Sequence, residues 1–465
     1  MSVSSIDFSA PAVFHFPFDI SSPNSQIPKL LDRLVYTLLN FKTDSAEIFQ
    51  SIFDEDPNCF AGQVILTAAE LTESFTGKSI EENIKKCHQL ADKLGSRVTD
   101  WESRWYNAVY TFKTISCRQG CHILMDLLAE YPFDLIAVII GMFWAFYSVD
   151  KFIMRDLIGR VLPFHPESHP YRALLESLYG FALMECFAVD RGSKLVERAF
   201  QKDPRHPWII HAECHSLEYN GRTEDALNLM RDEDDCYVDS TLGFHNTWHV
   251  AYLLAEHSQY DESLVVLQSK LADQVNSASR LSDACALLWS LRMSSQIVDN
   301  AEFTQLLTKV SDKITDHGCA YFATHFAAAL LGAEDYSGYN TFRHSVNNFT
   351  SKYKEHDIVK KYEDFGLSMM DSVTAYSLDD YSLATDKVYS VQDEILTLGG
   401  SQTQREFYYK VMYSSMLKMR SKEVDRRLLC SLNERTGHRE LPPSALKIYE
   451  GLTKSLERDG ESFSF

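Results

Sequence analysis

The chain has 465 residues, of which 45% are hydrophobic and 24% charged, and this composition is typical of a water-soluble globular protein. Its formal net charge of −20 excludes the basic surplus that binding to phosphate groups needs. We therefore expect no nucleic-acid partner and no attachment to an anionic membrane surface. Only 19 glycines and 13 prolines are present, which favours long helices with short connections over a turn-rich β fold.

The N-terminal segment, residues 1–26, contains prolines and serines without a helical period, and we expect it to be extended. No cationic stretch precedes an apolar core there, so no secretory signal is expected. The ten cysteines include no CxxC pair, which predicts reduced thiols and a cytoplasmic location. Cys117, Cys121 and His122 lack a second Cys/His pair with matching spacing, so they are predicted to pack rather than to bind zinc.

Residues 27–270 show a repeat. Pro132, Pro166 and Pro204 each follow a helical run, and they lie 34 and 38 residues apart. This spacing is close to the period of tetratricopeptide repeats, in which two antiparallel helices form one unit. In that register Gly180 lies where the two helices of a unit approach closely, and Gly221 lies at the turn of the next unit.

Residues 271–457 are predicted to continue as degenerate helical repeats, and residues 458–465 to fray. Near the end of this part, Gly399 and Gly400 are predicted to end one helix and Ser401 to cap the next. A single helix pair cannot bury its apolar face alone, so the units must stack. The predicted fold is therefore all-α, with tetratricopeptide-like antiparallel helix pairs stacked into a superhelical solenoid.

Polar residues recur on one predicted helix face. In RHPWIIHAECHSLEYNG, His211, His215 and Glu218 lie at positions i, i+4 and i+7, and the next unit carries a second histidine pair in FHNTWHV. In the repeat register this face lines the inner, concave groove. The candidate site residues are His211, His215, Glu218, His245, Trp248, His249, Asp283 and His325.

Three interpretations of this stripe are open. It could bind a metal through two histidines one turn apart, although the zincin motif H-E-x-x-H is absent and Glu213 is displaced by about 100° around the helix. It could perform acid–base catalysis, although no nucleophile motif accompanies it. It could line a groove for a protein, peptide or small ligand. The sequence favours this third interpretation, with no cofactor and no metal, and an enzyme acting on a small molecule is the alternative.

Several longer stretches resemble the tetratricopeptide repeat protein 38 family. They are, in order, YGFALMECF, IIHAECHSLEYNG, HNTWHVAYLLAEHSQYDESL, DACALLWSL and LTLGGSQTQREF, and the resemblance extends over about residues 27–450. It implies an all-helical repeat fold and little about activity. It also implies recurrent polar residues at His211, His215, Glu218, His245, His249, Asp283 and His325.

The sequence departs from that family where polar residues are expected. The resemblance implies histidines where this chain has Gln63, Trp105 and Leu217. It implies a His-Asp pair where the chain has Met142 and Phe143, and an aspartate where it has Ala323. If those polar groups form one site in the family, this chain lacks much of the part of the site that the N-terminal half of the sequence would supply.

Overall fold

A computed structural model describes residues 16–419 and 421–458. All regular secondary structure in this part of the chain is helical, and no strand forms within it, which confirms the all-α prediction. Of the segment predicted to be extended, residues 16–26 contain no helix and residues 1–15 lie outside the described residues. The predicted frayed tail lies outside them from residue 459 onward.

The described residues form 26 α-helices, which pack largely against their neighbours in the chain. The first thirteen are α1 Ile27–Leu39, α2 Ser45–Glu55, α3 Phe60–Glu70, α4 Lys78–Leu94, α5 Asp100–Thr114, α6 Cys117–Glu130, α7 Leu135–Ser148, α8 Lys151–Val161, α9 Arg172–Glu185, α10 Val189–Lys202, α11 Pro207–Tyr219, α12 Thr223–Asp232 and α13 Asp234–Tyr237.

The other thirteen are α14 Gly243–Glu256, α15 Tyr260–Val266, α16 Ala278–Met293, α17 Asn300–Lys309, α18 Ala320–Gly332, α19 Tyr336–Lys352, α20 Asp357–Lys361, α21 Leu367–Ser377, α22 Tyr381–Tyr389, α23 Gln392–Ile395, α24 Glu406–Met419, α25 Lys422–Thr436 and α26 Pro443–Arg458. Short 3₁₀ turns at Gly95–Arg97, Leu162–Phe164, Ala272–Gln274 and Ser311–Lys313, and π turns at Leu267–Leu271 and Tyr362–Gly366, connect or extend some of them.

The helix pairs approach closely where glycines face each other. A Cβ on Gly180 of α9 would lie 2.7 Å from Val196 Cγ2, and one on Gly192 of α10 would lie 2.5 Å from the Gly180 carbonyl oxygen. Gly221, at the turn between α11 and α12, has a φ of +75°, which a side chain would strain. Glycine therefore stands where α9 and α10 approach each other and where φ is positive.

The helices that carry the candidate site begin at defined caps. Helix α11 has Pro207 in its first turn, where a missing N–H costs nothing, and the His206 side chain accepts from Trp208 N. Helix α16 begins after Ser277, whose side chain accepts from Arg280 N. These local signals place the start of each helix and hence the face on which its polar residues lie.

Later parts of the chain pack against earlier parts. The carboxylate of Asp357 accepts from Ser116 Oγ, Cys117 N and Arg118 N at the start of α6. Thr241 N donates to Phe41 O at 2.7 Å, between α1 and α14. These contacts join helices that are far apart in the sequence.

All ten cysteines lie in the described residues and are free thiols. Cys117 and Cys121 are buried, whereas His122 is exposed, so these three side chains do not converge on one point. Among the described helices, none combines the length and the apolar character that crossing a membrane requires.

Candidate functional site

The structure brings seven of the eight candidate residues together. Helix α11 supplies His211, His215 and Glu218, helix α14 supplies His245, Trp248 and His249, and helix α16 supplies Asp283. All are buried except His245, whose side chain is 19% exposed. The two histidine pairs come from different helices, and the stripe on α11 faces the pair on α14, since His211 Nε2 lies 3.2 Å from His245 Nε2.

His325 on α18 is also buried, but its hydrogen bond goes elsewhere. Its Nδ1 lies 2.8 Å from Tyr321 O, and its ring packs against those of Tyr321, Phe407 and Tyr408. Trp248 stacks on His245 with ring centroids 5.3 Å apart. Trp248 therefore orients a site residue, whereas His325 belongs to the surrounding aromatic packing.

The four histidines form one compact group, which we call the histidine cluster: His211, His215, His245 and His249. His211 Nε2 lies 3.1 Å from His215 Nε2 and 3.2 Å from His245 Nε2. One ring nitrogen from each of the four lies within 4.8 Å of the others.

The other ring nitrogen of three cluster histidines faces an oxygen atom. His245 Nδ1 lies 2.7 Å from Asp283 Oδ2, and His249 Nδ1 lies 3.1 Å from Glu218 Oε1. His215 Nδ1 lies 3.3 Å from Thr403 Oγ1. Because a carboxylate can only accept, His245 and His249 carry their proton on Nδ1, and their Nε2 lone pairs remain available.

Burial keeps His211, His215 and His249 uncharged. Desolvation, followed by the neighbouring histidines, lowers the pKa of His211 and of His215 well below the usual histidine value. Desolvation also lowers the pKa of His249, although its hydrogen bond to Glu218 opposes this. For Glu218, burial acts to raise the pKa, but the hydrogen bond from His249 and the nearby charges prevail and lower it. At neutral pH, buried neutral imidazoles therefore contact an ionised carboxylate.

A buried loop, residues 401–405, completes the site. Thr403 Oγ1 donates to Glu218 Oε2 at 2.5 Å, and Gln404 Nε2 donates to Asp283 Oδ1 at 2.7 Å. Arg405 Nη2 pairs with Glu185 Oε2 at 2.8 Å and anchors the loop to α9. The loop thus fixes both carboxylates that orient the cluster.

Two parts of the prediction for this loop were wrong: Gly399 and Gly400 do not end a helix, because α23 ends at Ile395, and Ser401 does not cap α24. Ser401 Oγ accepts from Gln404 N, as a capping residue does, but α24 begins only at Glu406. Thr403, Gln404 and Arg405 were not predicted as site residues. The available signal was the run of polar residues in GGSQTQR, which the fold buries completely.

A pocket of about 400 Å³ opens beside the cluster. His211, His245, Asp283 and Gln404 line it, while His215 and His249 are not among its lining residues. Most of its remaining wall is apolar or aromatic: Ile139, Met142, Phe143, Phe146, Tyr147, Phe181, Trp208 and Phe244. Exposed residues at its rim include Lys42, Thr241 and Asn276, and Glu73 and Arg280 add charged groups to the lining.

The positions that depart from the family resemblance have two different locations. Met142 and Phe143 form part of the pocket wall, where they replace an implied His-Asp pair by apolar surface. Gln63 donates to Asn83, and Trp105 donates to Asp134, on helices outside the pocket. The wall that α7 contributes to the pocket is therefore apolar, while α11, α14, α16 and the 401–405 loop contribute His211, His245, Asp283 and Gln404.

Several groups of side chains have ligand atoms close enough to hold a metal ion. Besides the histidine cluster, they include two buried or half-buried sets of three: Cys214, Glu218 and His249, and Cys117, His356 and Asp357. In the second set, hydrogen bonds already occupy the groups, since His356 Nε2 contacts Phe112 O and Asp357 caps α6. The histidine cluster is the one that borders the pocket.

The sequence matches no known protein-family model. The function is therefore inferred from the cluster and its pocket.

Proposed function

We propose that the protein binds a small molecule in the pocket beside the histidine cluster and acts on it as an enzyme. One observation carries this proposal: a mostly apolar pocket of about 400 Å³ has His211, His245 and Asp283 in its lining. Small-molecule sites combine a mostly apolar wall with a few convergent polar groups. An open groove for a protein partner would not enclose titratable groups in this way.

The lining indicates the kind of ligand. Phe143, Phe181 and Trp208 offer apolar surface for the body of the molecule, and His211 and His245 offer ring nitrogens to a polar group. On the same lining, Arg280 packs over Phe244 at 5.2 Å and supplies a positive charge. A molecule with an apolar body, one polar reactive group and an acidic substituent would use all three features.

Non-catalytic binding of the same kind of ligand, or of one side chain of a peptide or protein partner, is the second candidate function. The extent of the apolar wall favours it, because burial of apolar surface alone provides affinity. Neither proposal involves a nucleic acid or a membrane. The ten free thiols support a cytoplasmic location, where thiols stay reduced.

We also propose that the helix pairs are tetratricopeptide-like units stacked as a solenoid, and that the chain is related to the tetratricopeptide repeat protein 38 family. The contact between Gly180 and Gly192 supports the first part, because it places the close approach of a helix pair at the expected repeat position. The burial of GGSQTQR beside the histidines supports the second, because two of the family-like elements then build one site.

A ligand screen tests the proposed function. A library of small organic acids is screened by thermal shift against the wild type and against Leu242→Trp, which narrows the pocket at a half-buried lining position. Leu383→Trp, at an exposed position on α22, is the matched control. We expect compounds that stabilise the wild type and the control but not Leu242→Trp.

Each compound that binds is then incubated with the wild type and followed by mass spectrometry. Conversion that is lost in His245→Gln supports an enzyme, whereas binding without conversion supports the second candidate. Equal stabilisation of Leu242→Trp and the control would show that the pocket is not the binding site.

A further inference from the structure

We propose that the histidine cluster is a binding site for one divalent first-row transition-metal ion, held by the Nε2 atoms of His211, His215, His245 and His249. The argument for metal binding depends only on the geometry of the histidine cluster. A role of the metal in a reaction on a ligand in the pocket rests on the proposed function. The sequence favours a site without metal because the zincin motif is absent, but the ligands here come from two helices rather than from one motif.

The spacing of the ring nitrogens fits a shared ion. Around a tetrahedral ion with metal–nitrogen bonds of about 2.0–2.1 Å, neighbouring ligand atoms lie about 3.3 Å apart. His211 Nε2 lies 3.1 Å from His215 Nε2 and 3.2 Å from His245 Nε2. One nitrogen from each of the four rings lies within 4.8 Å of the others, so a single ion can reach all of them after small shifts.

The proton positions determine which ring nitrogens could bind a cation. Asp283 and Glu218 hold the protons of His245 and His249 on Nδ1. Thr403 Oγ1 uses its own proton to bond Glu218, so it can only accept from His215 Nδ1. Three imidazoles therefore have an unprotonated Nε2, and those of His215 and His245 lie 3.1 Å and 3.2 Å from His211 Nε2.

Hydrogen bonds within the cluster cannot satisfy all of these lone pairs. A proton on His211 Nε2 can serve His215 and His245, which are its two neighbours. His249 Nε2 is fully buried and has no hydrogen-bond partner in the described residues. An unpaired buried nitrogen is costly, and a metal ion at the centre would bind all four lone pairs at once.

The surrounding charge also fits a cation. Glu218 and Asp283 are almost fully buried, and their ion pairs within the described residues are with cluster imidazoles. Arg439 donates to Thr403 Oγ1 at 3.4 Å, and its charge also helps to lower the pKa of Glu218. A divalent ion held by the four imidazoles would add positive charge beside both buried carboxylates.

The donor set selects the kind of ion. Imidazole nitrogens suit zinc, iron, nickel and copper, whereas magnesium and calcium prefer oxygen ligands. Carboxylates behind the histidines are the usual second layer of such sites, where they fix ring orientation and raise the basicity of the ligands. Here Asp283 and Glu218 occupy those positions.

One side of the proposed ion would face the pocket. His211 and His245 are lining residues of the pocket, whereas His215 and His249 lie behind them. A polar atom of a bound molecule could therefore approach the ion between the first two rings. This arrangement would join the metal site to the pocket of the proposed enzyme.

The test uses the untagged full-length protein. Its metal content is measured as purified, and protein stripped with a chelator is titrated with Co²⁺ while visible absorption is recorded. We expect one equivalent of a transition metal and a Co²⁺ spectrum with nitrogen-ligand absorption. The His211→Ala/His249→Ala variant should lose both signals, while His325→Gln, which alters a buried histidine outside the cluster, should retain them.

A milder variant separates metal loss from misfolding. Asp283→Asn keeps the shape of the side chain but no longer holds the proton on His245 Nδ1, and it should weaken Co²⁺ binding by about 10- to 100-fold. Leu242→Trp should bind metal normally even where it excludes pocket ligands, so failure of one proposal does not imply failure of the other. A wild type that takes up no stoichiometric metal, or Co²⁺ spectra unaffected by the double variant, would overturn the metal site.

Discussion

His245 and Asp283 are 38 residues apart in the sequence, and Nδ1 of the histidine lies 2.7 Å from Oδ2 of the aspartate. The contact joins α14 to α16, two helices that pack side by side. The second oxygen of Asp283 accepts from Gln404 Nε2, which comes from the 401–405 loop. A pair formed by neighbouring helices is thus held in place by a segment from much later in the chain.

The anchor of the 401–405 loop should contribute strongly to stability. Arg405 and Glu185 form an almost fully buried ion pair, with side chains 3% and 0% exposed. Arg405→Met leaves the carboxylate of Glu185 buried without its cation, which should lower the free energy of unfolding by about 3–5 kcal/mol. Urea denaturation followed by circular dichroism measures this loss.

An exposed ion pair provides the control for that experiment. Arg205 and Asp235 lie 3.0 Å apart with both side chains 66% exposed, so Arg205→Met should leave the free energy of unfolding nearly unchanged. Equal effects of the two substitutions would mean that the loop is not held by its buried pair.

The contact between α9 and α10 predicts an overpacking effect. Gly180→Leu would bring side-chain atoms against Val196 and the Gly192 backbone, and it should lower the free energy of unfolding by roughly 1–3 kcal/mol. Gly451→Leu is the matched control, because a Cβ at that helical position meets no atom within 4 Å. The control should be neutral or stabilising by up to about 1 kcal/mol, since leucine favours helix more than glycine does. Identical midpoints for Gly180→Leu and the wild type would disprove the close packing.

Glu218 should stabilise the fold as a hydrogen-bond acceptor. Its two oxygens accept from His249 Nδ1 and Thr403 Oγ1, and a glutamine offers only one accepting oxygen. Glu218→Gln therefore leaves one buried donor unsatisfied and should cost about 1–3 kcal/mol. Chelator-treated protein should be used, because a bound ion would add its own stabilisation.

Glu224→Gln, at an exposed position in the first turn of α12, is the control and should change the free energy of unfolding by less than about 0.5 kcal/mol. A result in which Glu218→Gln is as mild as Glu224→Gln would indicate that the hydrogen bonds around the cluster are replaced by water.

His325 predicts a specific dependence of stability on pH. Burial lowers its pKa from 6.5 to about 4, so the unfolded chain binds its proton at a higher pH than the folded protein does. Its contribution to stability is present above pH 6.5 and is lost as the pH falls towards 4. His325→Gln removes this titration, and its free energy of unfolding should fall less between pH 7 and pH 5 than that of the wild type.

The control here is His122→Gln, because His122 is exposed on α6. Its unfolding free energy should follow the wild-type pH dependence. If the His325→Gln variant also follows it, then His325 is not the buried histidine responsible for the acid sensitivity.

The all-helical class and part of the site could be predicted from local patterns. The spacing of His211, His215 and Glu218 places them on one helix face whatever that helix packs against. The glycines follow the same logic, because close helix packing and a positive φ each exclude a side chain at one position. These properties depend on residues a few positions apart, and they were therefore visible in the sequence.

Only the tertiary structure decided what surrounds that stripe. Thr403 reaches Glu218 across 185 residues, and Gln404 reaches Asp283 across 121 residues. No helical period connects such positions, so Ser401 looked like a simple cap and the following polar residues like the start of a helix. The ion pair of Arg405 with Glu185 and the hydrogen bonds of Gln402 to Glu185 and Met184 are long-range contacts that hold this loop against α9, and such contacts leave no local pattern in the sequence.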